Sequence, residues 1–290
     1  MNKNNWKELT VNRFDDLVKA SNTLHHAAQF IAYAGKHLIS EEADDSHTSA
    51  MWVPEKNLLA GRPIKSVSTE LRIALHYPAL VLMVTDTDLN ELGTVEMNGK
   101  TKQEVLTWLK NQLRELGVDV RALTDKIHFE IPPHDVENGG VYKLDQPDLF
   151  AELAGYRTNG HLVLTHFAEQ FDTASPVLVW PHHFDEGSYI PLIFENGEAT
   201  GSVSIGLAVA DHYYNNPYFY VTAWKKEGIN YEDKPGSNSP GRWHTHEWTG
   251  QVLEGKSLAG LNKDKQQEAA VDFMYQALNN ATQLVGWKKQ

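Results

Sequence analysis

The clearest pattern in the chain is NTLHHAAQFIAYAGKHLI, residues 22–39. Leu24, Ala27, Ala28, Ile31, Ala34 and Leu38 recur at helical spacing. His26, Phe30, Tyr33 and His37 form a second stripe, so this helix is expected to be covered on both sides. A polar stripe of His25, Gln29 and Lys36 runs between the two and reads first as a solvated helix edge. Residues 50–61, 70–86 and 92–99 are rich in strand formers. They are punctuated by Pro54, by Pro78 and by the turn dipeptide Asn98–Gly99. A helix over 101–117 is predicted next. Thr101 and Glu104 make a capping-box pattern, Val105, Leu109, Leu113 and Leu116 make the stripe, and Gly117 is the stop. Extended chain is expected over 118–132, and 134–147 is polar and glycine-rich like a connector.

The same order then recurs. A helical region at 148–171 leads to strand-like segments at 175–194, 202–217, 218–228 and 242–255, and to a final amphipathic helix at 263–286. The fold expected is α+β: mixed or antiparallel sheet layers covered by amphipathic helices. It is expected as one compact unit, 1–290, of two similar helix–strands–helix halves, about 15–131 and 147–287, joined by a connector at 132–146. The Gly/Pro/Ser-rich stretch 227–241 reads as a long loop.

Composition narrows the role. There is no cysteine, which removes disulfides and thiol chemistry and suits a reducing compartment. The first ten residues carry no apolar signal core, and ALVLMV (79–84) is too short to span a bilayer, so a cytoplasmic protein with no membrane partner is expected. The formal charge is −12, from 26 basic and 38 acidic residues, which disfavours nucleic acid.

Several motifs come close to known ones. GTVEMNGKT (93–101) has one residue too many for a phosphate-binding loop, and a turn plus a helix cap explains it. HEWTG (246–250) lacks the second histidine of a zinc-protease helix. The histidine segments WPHHFD, ADHYY and WHTHEW remain. If they are strands, alternation puts His183 with Asp185, and His244 with His246, on common faces. Those four residues are candidate ligands for a divalent metal, with Glu247 or Asp211 as general base. The plainer reading makes them hydrogen-bonding residues among aromatic rings. In YFYVTAW (218–224), Phe219, Val221 and Ala223 are the better core set, which turns Tyr218, Tyr220 and Trp224 toward a cleft or a covering helix.

The chain also resembles a family. Thr23, Leu24, His25 and Gln29 resemble the opening helix of bacterial domain-of-unknown-function family 5996, and LRELGVDVR (113–121) resembles its helix-to-strand join. Ser175, Pro176, Val177, Phe184 and Asp185 resemble its second-half strand, and PYFYVTAW and the terminal VGW its last strand and helix end. Gly35–Lys36 comes later than the family's Gly-Lys pair, and PHH stands where the family has Trp-Gly. His182 and His183 therefore fall outside the shared pattern. The resemblance marks His25, Gln29 and Asp185 as site residues and implies no activity.

The sequence thus points to a small-molecule ligand in a polar-aromatic cleft lined by His25, Gln29, Asp185, Tyr220, Trp224, His244 and His246. The alternatives are a metal-dependent hydrolase or lyase built on His183, Asp185, His244 and His246, and a scaffold that binds another protein through its aromatic surface.

Overall fold

The computed structural model describes residues 5–67, 69–232, 234–236 and 240–288. Residues 233 and 237–239 of the expected loop 227–241, and residues 1–4 of the polar N-terminal stretch, lie outside the described residues. The protein is α+β, with antiparallel sheet and helices packed on it. No helix among the described residues is long and apolar enough to cross a membrane.

The chain divides into two compact units that interleave in sequence. The first, here the α1 unit, comprises residues 15–154 and 178–184; the other, the α4 unit, comprises 1–14, 155–177 and 185–290. The boundary falls inside a helix, after Ala154, and not at the connector 132–146.

In the α1 unit, α1 (Phe14–Leu38) leads to β1 (Ala50–Val53), β2 (Leu58–Gly61), β3 (Ile64–Lys65), β4 (Glu70–His76), β5 (Val81–Asp86) and β6 (Glu91–Glu96). Then come α2 (Lys102–Glu115), the start of α3 (Pro147–Ala168), and β7 (Leu178–Val179). The strands order as β7-β1-β2-β4-β5-β6, with β3 on β4. Pro54 and Pro78 mark hairpin turns, because proline has no N–H for a ladder. Val53 pairs with Leu58 across the first turn, and His76 with Val81 across the second. The strand set off by Pro54 is not an edge, since β1 pairs with both β2 and β7. The capping box at Thr101 and Glu104 forms as the spacing predicts, with Gly99 at φ 78° in the turn before it. Residues 118–132 form no strand.

Both apolar stripes of α1 are buried: Leu24, Ala27, Phe30 and Tyr33 are at most 3% exposed. The polar stripe departs from the solvated edge expected of it. His25 and Gln29 are 3% and 1% exposed, and only Lys36 keeps to the rim, 3.3 Å from Glu41. A charged helix edge would stay in water; an imidazole and an amide can be buried once their polar atoms find partners.

The α4 unit holds the rest of α3, then β8 (Glu186–Glu195), β9 (Glu198–Ala208), β10 (Tyr218–Lys225), β11 (Arg242–His244), β12 (Gly250–Glu254) and α4 (Lys263–Val285), in strand order β11-β12-β10-β9-β8. Asn262 caps α4 and Gly286, at φ 85°, ends it. The order helix, six strands, helix thus occurs twice along the chain.

Close approach at Gly35 ties α1 to the segment that follows it. A Cβ there would lie 2.3 Å from the backbone oxygen of His47 and 2.8 Å from Cα of Thr48. Backbone cannot rotate aside as a side chain can. Gly35→Ala is therefore expected to destabilise the protein by about 1–3 kcal/mol, although alanine favours helix. Urea unfolding measures this; an unchanged or raised midpoint would show that the contact is not tight.

Candidate functional site

Pairing register sorts the α4-unit sheet into two chemically different faces. Residues directly opposite in antiparallel strands share a face. Phe219 pairs with Leu207 and Leu253, and Val221 with Ile205. This face receives the helices: Gly160 of α3 lies against Leu207, and Val285 of α4 against Gly201. Tyr220 pairs with Gly206 and Val252, Thr222 with Ser204, and Trp224 with Ser202, which makes the opposite face aromatic and polar. The alternation read from YFYVTAW therefore holds, and the tyrosine side is covered in part by the loops before β10 and β12.

Tyr220 lies directly on the sheet. A Cβ at Gly206 would be 2.2 Å from its Cζ, and one at Gly187 would be 3.0 Å from its hydroxyl. Two adjacent strand positions without side chains give the ring its bed. Its hydroxyl donates to Asp185 Oδ2 at 2.6 Å. Beside it, Tyr218 donates to Asp211 Oδ2 at 2.7 Å, and the Tyr214 ring sits 4.6 Å from that of Tyr218.

Asp211 is occupied as a turn former. Its Oδ1 accepts from the amides of Tyr213 at 2.8 Å and Tyr214 at 3.1 Å, which folds residues 211–214 over the tyrosine face. Both carboxylate oxygens are then engaged, which leaves it poorly placed as a base. Glu247 accepts from the Tyr213 hydroxyl at 2.7 Å, and that bond holds its carboxyl below the usual range. The same bond pushes the Tyr213 phenol up to about 12. Burial, aided by Asp211, raises Tyr218, and burial together with Asp185 raises Tyr220 well above an ordinary tyrosine.

The two histidine segments are not regular strands. β11 ends at His244, and His246 lies in the turn that follows, with Glu247 at φ 66°. Alternation therefore does not bring His244 and His246 onto one face. His244 Nε2 meets the carbonyl of His246 at 2.7 Å, and a carbonyl only accepts, so Nε2 carries the proton. Nδ1 then accepts from the Tyr214 hydroxyl at 2.7 Å. Neither ring nitrogen has a lone pair left for a metal. The ring stacks on Trp248 at 4.1 Å, while the His246 side chain is 81% exposed. Residues 181–183 of WPHHFD form a turn and Phe184 takes φ 57°, so strand alternation does not apply to His183 and Asp185 either. His183 is exposed, with its ring 4.6 Å from that of His182. Among the described residues no group of three or more His, Asp or Glu is arranged to hold a metal ion.

His25 and Gln29, in the α1 unit, converge on one carbonyl. His25 Nε2 donates to Pro181 O at 2.7 Å and Gln29 Nε2 to the same oxygen at 3.0 Å. The His25 ring stacks on Phe184 at 4.8 Å with parallel planes. Both residues thus clamp the 180–184 turn onto α1. In the α4 unit the expected wall residues divide: Asp185 and Tyr220 are bonded to each other, Trp224 is 49% exposed on the same face as Tyr220, and His244 belongs to the Tyr214–Trp248 cluster.

Two features escape sequence reading. The glycine bed of Tyr220 left a faint signal, since glycine in mid-strand marks a close approach. The other is a buried charge cluster: Glu186, with no exposure, lies 2.8 Å from His161 Nδ1 and 4.0 Å from Arg157. Arg157 and His161 are one helical turn apart on α3, but nothing in the sequence pairs them with a strand.

Comparison of the chain with family models, with curated proteins and with solved structures found no match.

Two expectations follow. His244→Ala loses two hydrogen bonds and is expected to cost about 1–3 kcal/mol, whereas His246→Ala should stay within about 0.5 kcal/mol of the parent. Equal losses by denaturant unfolding would contradict this account of the pair. Tyr213, Tyr218 and Tyr220 hold their protons more tightly folded than unfolded. Their contribution to stability is complete below about pH 10, the unfolded value, and is lost as pH rises above it. Unfolding midpoints should fall above pH 10, and less steeply in Tyr220→Phe; an identical slope in that variant would remove Tyr220 from the effect.

Proposed function

We propose that the tyrosine face of the α4 unit binds a small organic amine. One observation carries the reading: the end of the Tyr220 ring packs on Gly206, with its hydroxyl over Gly187 and 2.6 Å from Asp185. That arrangement makes a half-buried aromatic floor with a carboxylate at its end. The second oxygen of Asp185 accepts no hydrogen bond from another described residue. An ammonium group over the ring would donate to that oxygen and gain about 0.5–2 kcal/mol from the ring face. Trp224 and Tyr189, 49% and 45% exposed on the same sheet face, would offer apolar contact to the rest of the ligand.

The setting proposed with it is cytoplasmic, without nucleic acid or membrane as partner. The absence of cysteine and the formal charge of −12 support this. Membership of the bacterial family 5996 is part of the same proposal and rests on the ordered motifs of the sequence.

Calorimetric titration of the full chain with n-butylamine at pH 7 tests the reading, with n-butanol as the neutral counterpart. Butylamine should bind and butanol should not. Asp185→Asn should weaken the amine at least about tenfold, equivalent to about 1.4 kcal/mol. Binding of both compounds alike, or full affinity in Asp185→Asn, overturns the proposal.

A further inference from the structure

The α1 unit contains a cavity of about 370 Å³ that plays no part in the tyrosine face. It opens between the first turns of α1, the chain at 133–135, the segment 141–146 and the start of α3. Ala20, Leu149 and Phe150 give it an apolar floor and are 6%, 1% and 3% exposed. The segment that forms its rim is pinned in place. The Tyr142 amide donates to Lys100 O at 2.9 Å, and the Leu144 amide to Asn98 Oδ1 at 3.0 Å. Lys143 and Asp145, the residues alternating with those anchors, both line the cavity. Neither makes an ion pair with another described residue.

Apart from Asp135, the remaining wall is polar and uncharged. His134 Nδ1 accepts from the Val136 amide at 3.2 Å, so the proton of the neutral ring sits on Nε2, facing Thr23 Oγ1 at 3.2 Å. Thr23 in turn donates to Lys19 O at 3.1 Å. Burial, and next the neighbouring His26, hold His134 below the usual histidine range, so it adds no charge at neutral pH. At the mouth, Lys19 and Asp16 pair at 3.1 Å and offset each other. The cavity therefore presents one cation, Lys143, and two carboxylates, Asp145 and Asp135, outside any ion pair among the described residues, above a small apolar floor. Its volume falls at the low end of the range for small-molecule pockets, about 300–1,000 Å³.

We infer that this cavity binds a zwitterion of amino-acid size with an apolar side chain. Lys143 meets its carboxylate, and Asp145, with Asp135 also lining the cavity, meets its ammonium group. The side chain rests on Ala20, Leu149 and Phe150. Matching both charges selects against simple amines and simple acids, because either would leave one rim charge facing a like or absent partner.

The test is saturation-transfer NMR with competition titrations on the full chain, using L-leucine, leucine methyl ester and N-acetyl-leucine. Leucine should bind, and each derivative, lacking one charge, should bind at least about tenfold more weakly. Lys143→Ala should weaken leucine at least about tenfold and leave the ester unchanged. Lys143 is exposed, so this variant should keep the parent's thermal midpoint. Asp185→Asn should leave leucine binding intact, which separates this site from the amine site. The inference is overturned if leucine does not bind at millimolar concentration, if the ester and acetyl forms bind as well as leucine, or if Lys143→Ala has no effect.

Discussion

The antiparallel register of β9 against β10 is the constraint on which the α4 unit depends. It sets Phe219 against Leu207 and Val221 against Ile205 on the helix side, and Tyr220 against Gly206 on the other. A slip of one residue would turn the aliphatic set to solvent and push three tyrosine-face side chains under α4. Because the two sets differ so much in polarity, burial of the aliphatic face fixes the register, and the tyrosine face follows. The glycines at 187 and 206 then do more than tolerate the sheet: they lower its surface so that a phenol can lie along it and reach Asp185.

A second theme is the handling of buried polar groups. Histidines recur on α1 and α3, and three of them place a ring nitrogen against an acceptor from another segment. His25 is bonded to Pro181 O, His26 to Pro132 O and His161 to Glu186. Unpaired, each would cost a few kcal/mol of desolvation; paired, they fix where irregular chain attaches to a helix. Phe184, in a left-handed conformation that a bulky residue rarely adopts, is held there by such a clamp and by its stacking on His25. Glu186 is handled differently: His161 meets Oε1 at hydrogen-bond distance, while Oε2 has no hydrogen bond and faces Arg157 at 4.0 Å, so its charge is offset by proximity.

Much of the architecture was legible in the sequence. All four helices were located along the sequence, the capping box at Thr101 and Glu104 placed the start of α2, and Pro54 and Pro78 marked turns. Alternation in YFYVTAW separated the core face from the aromatic face. For the histidine segments the shared-face alternative fails because alternation holds only while the backbone is extended, and His244 takes the plainer place of a hydrogen-bonding residue among aromatic rings. In WHTHEW the chain turns after His244, and in WPHHFD it turns at Pro181, so spacing along the sequence ceased to report direction. The polar stripe of α1 was misread for a different reason. Periodicity says which residues share a helix face but not what covers it.

The sequence by itself determined where the four helices lie, which stretches supply most of the strands, and the division of β10 into an aliphatic and an aromatic side. These depend on local backbone preference and on the period of apolar residues, both of which act over a few positions. Only the tertiary structure decided which carboxylate each tyrosine meets, that both ring nitrogens of His244 are spent on Tyr214 and His246, and that Gly206 and Gly187 make room for Tyr220. It also decided that Lys143 and Asp145 border a cavity floored from α1 and α3. Those pairings join residues far apart in the chain, and their geometry is set by strand register and loop path, neither of which leaves a periodic trace in the sequence.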